Sequence, residues 1–282
     1  MPPRRRFAAT FVLAAAAACA TAGTERVAFN VSEGTTLSFD LSPDGRTIVF
    51  DLLGQLWEIP SEGGKARPLT NAVRDTAEDL DPSYSPDGRR IVFRGERHGR
   101  PGLWVLERDA EAPRQLTQLA NPDGYEGAAA WSDSSTIVFV RGQPPNERAS
   151  RWRSRLARID IATGQASEIP IDSAAGADLR DPAWDARGNR LALVSSSARG
   201  TIGGRLWFAD GVTGRVTAVS GASVHTLAPA FAPDGSRICY FAPDSLDRMQ
   251  LWVLSVATPG ARPVRLTSHA DVAPTRARWT SD

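Results

Sequence analysis

Three histidines, His98, His225 and His269, are the chain's whole supply of imidazole. Zinc hydrolases take their ligands from closely spaced histidines, such as the helical His-Glu-x-x-His, because two imidazoles must reach one ion. No such spacing occurs here. The Gly-x-Ser-x-Gly elbow that exposes a serine nucleophile is missing as well. Gly63-Gly64 and Gly203-Gly204 are isolated pairs that read as turns, not as a phosphate-cradling loop. The expectation is a chain that supplies no catalytic residue, holds no metal and carries no cofactor. What remains is chemistry suited to contact. Two Asp-Pro pairs, Asp81-Pro82 and Asp181-Pro182, lie four residues before Ser85 and Asp185. The stretch RGQPPNERASRWRS sets Arg141, Arg148, Arg151 and Arg153 around Trp152. Arginine and tryptophan are favoured anchors at protein interfaces.

The elements that must position these residues follow from a repeat. SPDGRTIVF begins at Ser42, SPDGRRIVF at Ser85 and APDGSRICYF at Ala232. Equivalent turns start at Ser132, Asp185 and Thr280, a period of about 45 residues. Each unit places an aromatic before the turn: Tyr84, Trp131, Trp184, Phe231 or Trp279. Proline presets φ in the turn, and the glycine is free to take φ > 0. An apolar strand follows, such as Ile91-Val92-Phe93, then a Leu-Trp strand at Leu56, Leu103, Leu206 and Leu251. A short fourth strand closes the unit, typically on Leu-Thr, as at Leu69-Thr70 and Leu116-Thr117. A continuous apolar second strand predicts a sheet covered on both faces. Sheets stacked face to face around an axis provide that cover. The expected fold is an all-β propeller of four-stranded antiparallel blades, at about 36–70, 80–117, 127–170, 180–220 and 227–267, within 26–282. Seven of the eight Trp fall at repeat positions and are expected to pack between blades; Trp152 does not.

The ending Trp279-Thr280-Ser281-Asp282 reads as the start of a sixth unit, at 275–282, with Val27-Ala28-Phe29-Asn30-Val31 as a strand of the same blade. The expectation is a six-bladed ring cut short relative to a longer parent. At the other end, Arg4-Arg5-Arg6 is a basic n-region, Phe7 to Ala18 an apolar run and Ala20-Thr21-Ala22 a small-residue cleavage site. Residues 1–22 thus read as a signal peptide, with no span long enough to hold a membrane and export to the periplasm or medium. Ala16-Ala17-Ala18-Cys19 leaves a lipid anchor at Cys19 open, and the arginines fit a loose twin-arginine pattern as well as an ordinary n-region. Cys239 then has no disulfide partner and reads as a buried small hydrophobe. A net charge of +1 gives no field that selects nucleic acid.

These motifs resemble the TolB-like propeller repeat, also called the WD-like or PD repeat, of bacterial periplasmic proteins. The likeness covers about residues 26–282 and departs at Ser132-Asp133-Ser134-Ser135 and Asp185-Ala186-Arg187-Gly188. Ser32 to Gly45, followed by Thr47 to Gly54, also looks like the opening of propellers that precede a metal-dependent amidohydrolase domain. The resemblance implies a periplasmic scaffold that binds a protein or peptide, or the leading propeller of a hydrolase. In a meander, the loops between second and third strands share a face with the blade links, opposite the Ser-Pro-Asp-Gly turns. That face carries the long individual loops, the basic stretch around Trp152 and acidic links at Asp75, Glu78, Asp79, Asp81, Asp172, Asp178 and Asp181. Mixed sign suits a protein or peptide more than DNA. Asp81 and Asp181 are expected near one channel mouth, either capping turns or forming a carboxylate rim. His225, before an inner strand, either points at the channel or is a solvated loop residue.

Overall fold

A computed structural model describes residues 37–75, 77–97, 99–119, 124–143, 153–176, 178–185, 187, 189–195, 203–219, 221–223, 225–258, 260–270 and 276–280. Five four-stranded antiparallel sheets follow one another along the chain, each in sequential strand order. The first holds β1 (Phe39–Leu41), β2 (Thr47–Leu52), β3 (Gln55–Pro60) and β4 (Arg67–Pro68). The second holds β5 (Ala77–Tyr84), β6 (Arg90–Arg97), β7 (Arg100–Glu107) and β8 (Arg114–Gln115). The third holds β9 (Tyr125–Trp131), β10 (Thr136–Gln143), β11 (Arg153–Asp160) and β12 (Ala166–Glu168). The fourth holds β13 (Leu179–Asp185), β14 (Arg190–Ser195), β15 (Arg205–Asp210) and β16 (Val216–Ala218). The fifth holds β17 (Leu227–Phe231), β18 (Arg237–Pro243), β19 (Met249–Ser255) and β20 (Val264–Arg265). First strands of successive blades lie against each other, so the protein is an all-β propeller of five four-stranded blades.

The turn chemistry is local. In Ser85-Pro86-Asp87-Gly88 the Ser85 hydroxyl lies 2.6 Å from Asp87 Oδ1 and accepts the Arg90 N–H at 2.9 Å. Gly88 N–H closes on Ser85 O at 2.8 Å, with φ +69° at the glycine. Ser42-Pro43-Asp44-Gly45 repeats these bonds almost distance for distance. In the third blade Asp133 takes over, accepting the Ser135 and Thr136 N–H groups at 2.7 and 2.8 Å. The closing threonines cap the opposite edge: Thr70, Thr117 and Thr267 accept the N–H of Leu56, Leu103 and Leu251 at 2.9–3.0 Å.

The core is a stack of interfaces. On β6, Ile91 and Phe93 pack toward blade one while Val92 packs toward blade three. On β10, Ile137 and Phe139 face blade two and Val138 and Val140 face blade four. Adjacent side chains on a strand point to opposite faces, so an unbroken apolar run feeds two interfaces at once. Trp104, Trp131, Trp184, Trp207 and Trp252 sit in these clusters. Cys239 is buried and free, and burial pushes its thiol up to about 11. Residues 276–280 lie between blade five and blade one: Trp279 Nε1 donates to Ala230 O at 2.9 Å, and Arg278 pairs with Asp40. The strand expected at 27–31 and the leader at 1–22 lie outside the described residues.

Candidate functional site

The innermost strands share a defect. Their ladders slip between Leu80 and Ser83, at Val138/Val140, between Arg180 and Ala183, and between Leu227 and Ala230. At each slip one residue is left-handed: Asp81 at φ 55°, Ala128 at 47°, Asp181 at 47° and Ala228 at 44°. A bulge leaves one residue out of the ladder and re-aims its side chain. Proline follows at 82, 182 and 229, where the broken ladder needs no N–H. All four bulged residues stand four before a turn, as do Ser38 and Arg276. Asp81, Ala128, Asp181, Ala228 and Arg276 line one small cavity of about 80 Å³ on the axis, joined by Arg278. Asp81 and Asp181 are therefore brought together, in mid-strand on the channel wall.

Their electrostatic surroundings differ. Asp81 lies 3.4 Å from both Arg94 and Arg276, and accepts the Ser38 hydroxyl at 2.7 Å. Its own N–H donates to Asp51 at 2.9 Å. Asp51 also accepts the Ser38 N–H, yet burial still raises its pKa. Asp181 accepts the Ala228 N–H on Oδ2 at 3.2 Å and has no ion pair among the described residues. Burial drives its pKa up against that bond and against the more distant Arg276 and Arg180. Burial, with help from Arg278, lowers the pKa of Arg276.

A larger pocket of about 360 Å³ opens beside the channel between blades three and four, on the face of the blade links. Tyr125, Val140, Leu179 and Ala128 form its apolar wall; Ser154, Asp178, Arg180 and Asp181 supply the polar groups. Arg180 holds Asp178 at 2.5 Å, and the Ser154 hydroxyl lies 2.9 Å from the same carboxylate. Arg94 covers one face of Tyr125, 5.7 Å from the ring centroid. Burial and then the charge of Asp81 push the Tyr125 hydroxyl up to about 12. A Cβ at Gly127 would stand 2.4 Å from that hydroxyl, so the tyrosine folds back over the glycine and would have to shift for any larger residue.

Arg141 is committed to Glu126 at 2.7 Å and lies over the Phe139 ring, which makes it a brace within blade three. Arg153 is exposed at the first position of β11. Arg148, Arg151 and Trp152 lie outside the described residues. His225 is exposed in the turn before β17, its N–H on Ser223 Oγ, and is not among the residues lining the channel. Asp79, expected on an acidic link, is fully buried against Arg97. Sequence reasoning missed Arg276 and Arg278, although Arg276 keeps the four-residue spacing to Thr280 that flagged Asp81 and Asp181. Among the described residues no three His, Cys, Asp or Glu gather as metal ligands, and no helix is long and apolar enough to cross a membrane.

No family model matches the chain. An uncharacterized protein of Agrobacterium fabrum is 26% identical over 158 residues, covering 54% of this chain and 52% of its own length. The chain thus spans about half of that relative. A protein described as TolB from Agrobacterium tumefaciens superposes with a TM-score of 0.63 at 15% identity, over 87% of this chain and 86% of the other. TolB from Acinetobacter baumannii gives 0.61 at 16%, over 83% and 56%. An oligogalacturonate lyase in complex with manganese gives 0.57 at 16%, over 82% and 65%. Identities this low establish architecture alone, and with the turn, strand and bulge repeats they settle it: the chain has the TolB-like β-propeller fold.

Proposed function

We propose that this propeller is an exported, non-catalytic scaffold that binds a protein or peptide partner through its link face and channel mouth. The observation that carries the reading is the unequal ring of bulged positions. A fold that needs only backbone geometry there is built with Ala128 and Ala228; at Asp81 and Asp181 it carries a carboxylate instead, and Arg276 joins them on the cavity wall. The pocket opens on the same face as the blade links, where individual loops over a rigid scaffold carry function. Export follows from the leader-like residues 1–22, with Cys19 as the alternative lipid-bearing start. Peptides selected from a displayed library on the purified protein test the binding reading. Binders should lose affinity in an Asp81→Asn/Asp181→Asn double variant; selection that yields no binder, or binders indifferent to both carboxylates, refutes it. Sequencing the N-terminus of periplasmic material tests export, with Gly23 expected first.

The second reading is the leading propeller of a metal-dependent amidohydrolase or another hydrolase, favoured by the Ser32–Gly54 resemblance. The propeller then orients substrate for catalytic residues supplied elsewhere. Amide hydrolysis by this chain with added zinc or manganese would contradict both readings, since each assigns it no catalytic group.

A further inference from the structure

Charged groups near the channel are nearly all spoken for. Asp40 has Arg278, Asp81 has Arg94 and Arg276, and Asp178 has Arg180. Asp181 is the exception among these carboxylates. One of its oxygens accepts the Ala228 N–H, and the other has no partner among the described residues. The repeat supplies the control: Ala128 and Ala228 hold the same left-handed bulge without a carboxylate, so the fold does not require one at 181. Capping the next blade accounts for Oδ2 and leaves Oδ1 unexplained. The side chain is only part-buried and lines the pocket wall, so this oxygen is open to a ligand.

We propose that the pocket between blades three and four receives a primary ammonium group, the side chain of a lysine on an extended peptide, with its head at Asp181. The assignment rests on the peptide-scaffold reading and names the residue that reading must deliver. The pocket wall offers Tyr125, Val140 and Leu179 to a methylene stem and the Asp181 carboxylate to its head. A guanidinium wants two oxygens side by side for its planar fork. Asp181 offers one, because Ala228 occupies the other. An ammonium is a compact point charge with three rotatable donors, which a single carboxylate oxygen and the Tyr125 hydroxyl on the same wall serve better. Arg180 is paired with Asp178 at 2.5 Å, and the carboxylates of Asp178 and Asp181 outnumber this one guanidinium on the pocket wall.

The test is titration of the purified protein, followed by NMR, with acetyl-Gly-Lys-Gly-amide. Norleucine and arginine versions of the peptide and n-butylammonium serve as comparison probes. The lysine peptide should bind, the norleucine peptide should bind at least about tenfold more weakly, and Asp181→Asn should remove most of that difference. Asparagine suits the variant because it tolerates the left-handed backbone and its amide oxygen can still accept the Ala228 N–H. Glu168→Gln, on an exposed ion pair outside the pocket lining, should bind as wild type. Equal binding of lysine and norleucine peptides overturns the proposal, as does an Asp181→Asn protein that binds the lysine peptide unchanged. Binding of n-butylammonium with the lysine peptide excluded overturns the lysine assignment and the peptide reading together. Library peptides that bind without regard to Asp181 overturn this assignment and leave the scaffold reading standing.

Discussion

Replacing Arg97 by methionine should cost about 3–5 kcal/mol of stability, the range for stranding one half of a buried ion pair. The structure sets the magnitude. The Asp79 side chain is 0% exposed and that of Arg97 4%. The guanidinium pairs with Asp79, reaches Asp75 at 2.8 Å, and lies over the Phe93 and Trp104 rings at 5.7 and 5.6 Å. Asp79 Oδ1 already has no hydrogen-bond partner, and burial already raises the pKa of this carboxyl. Methionine fills most of the volume but leaves the carboxylate uncompensated. Asp79 also ties β5 to blade one through its N–H on Gly54 O at 2.9 Å, so the strand that carries Asp81 loosens with it. The loss should appear as a fall in Tm of about 6–20 °C. Asp79→Asn in the same background should recover about 2 kcal/mol, because the stranded charge is gone. The sign of the pH dependence follows. With its folded pKa raised, Asp79 contributes most stability below its unfolded value of about 3.9 and loses it as pH rises through the folded value. The deficit of Arg97→Met should therefore shrink toward acid. Denaturant titrations of the two single variants and the double variant, at neutral pH and near pH 4, measure all of this. A single-variant cost below about 1 kcal/mol, or strictly additive effects, refutes the reasoning.

Further outcomes follow from the same contacts. Asp181→Asn should raise stability at neutral pH by roughly 0.5–1 kcal/mol. The gain should vanish below about pH 4, because the raised folded pKa of Asp181 withdraws wild-type stability only as pH climbs through it; thermal melts across that range measure the difference, and an acid-side gain contradicts the sign. Asp40→Ala removes the acceptor of the Tyr84 N–H at 2.8 Å and the partner of Arg278, and should cost about 3 kcal/mol or more in denaturant titration. Thr117→Val, nearly isosteric, leaves the buried Leu103 N–H without its acceptor and should cost about 1–2 kcal/mol. Gly127→Ala drives a methyl into the Tyr125 hydroxyl, so NMR signals of that ring should shift while the other blades keep theirs.

What the sequence made legible is what one unit determines by itself. Ser-Pro-Asp-Gly closes on its own serine hydroxyl and aspartate, and Leu-Thr closes on the strand beside it, so both could be read from order alone. The alternation of Ile91, Val92 and Phe93 between two interfaces is likewise implied by an apolar run. The bulges were not legible. A left-handed Asp81 is a property of the ladder between β5 and β6, and Asp-Pro in a list of residues reads equally well as a turn cap. Sequence order groups the arginines of the long loop as one contact set. Register instead places Arg141 opposite Glu126 and spends its charge inside the blade. Asp79 reads in sequence as a charge on a link, because the cation that buries it sits eighteen residues away on the neighbouring strand.

The repeat is informative where it fails to repeat. Six positions four residues before a turn carry Ser38, Asp81, Ala128, Asp181, Ala228 and Arg276. Backbone demands are the same at the four bulged ones, since alanine and aspartate adopt the same φ within about ten degrees. Differences among their side chains are therefore not set by backbone geometry: Asp181 accepts the Ala228 N–H and Asp81 pairs with two arginines, while the alanines do neither. Nor does channel packing explain them, because two alanines suffice for half of the bulged positions. The charges are not distributed as a ring of one sign either. Two guanidiniums crowd Asp81, while Asp181 faces a pocket with none committed to it. An ion-pair network built for stability would have paired both. The raised pKa of the unpaired carboxylate predicts a cost to the folded protein at neutral pH, and its place on a pocket wall is what the proposed lysine site would use.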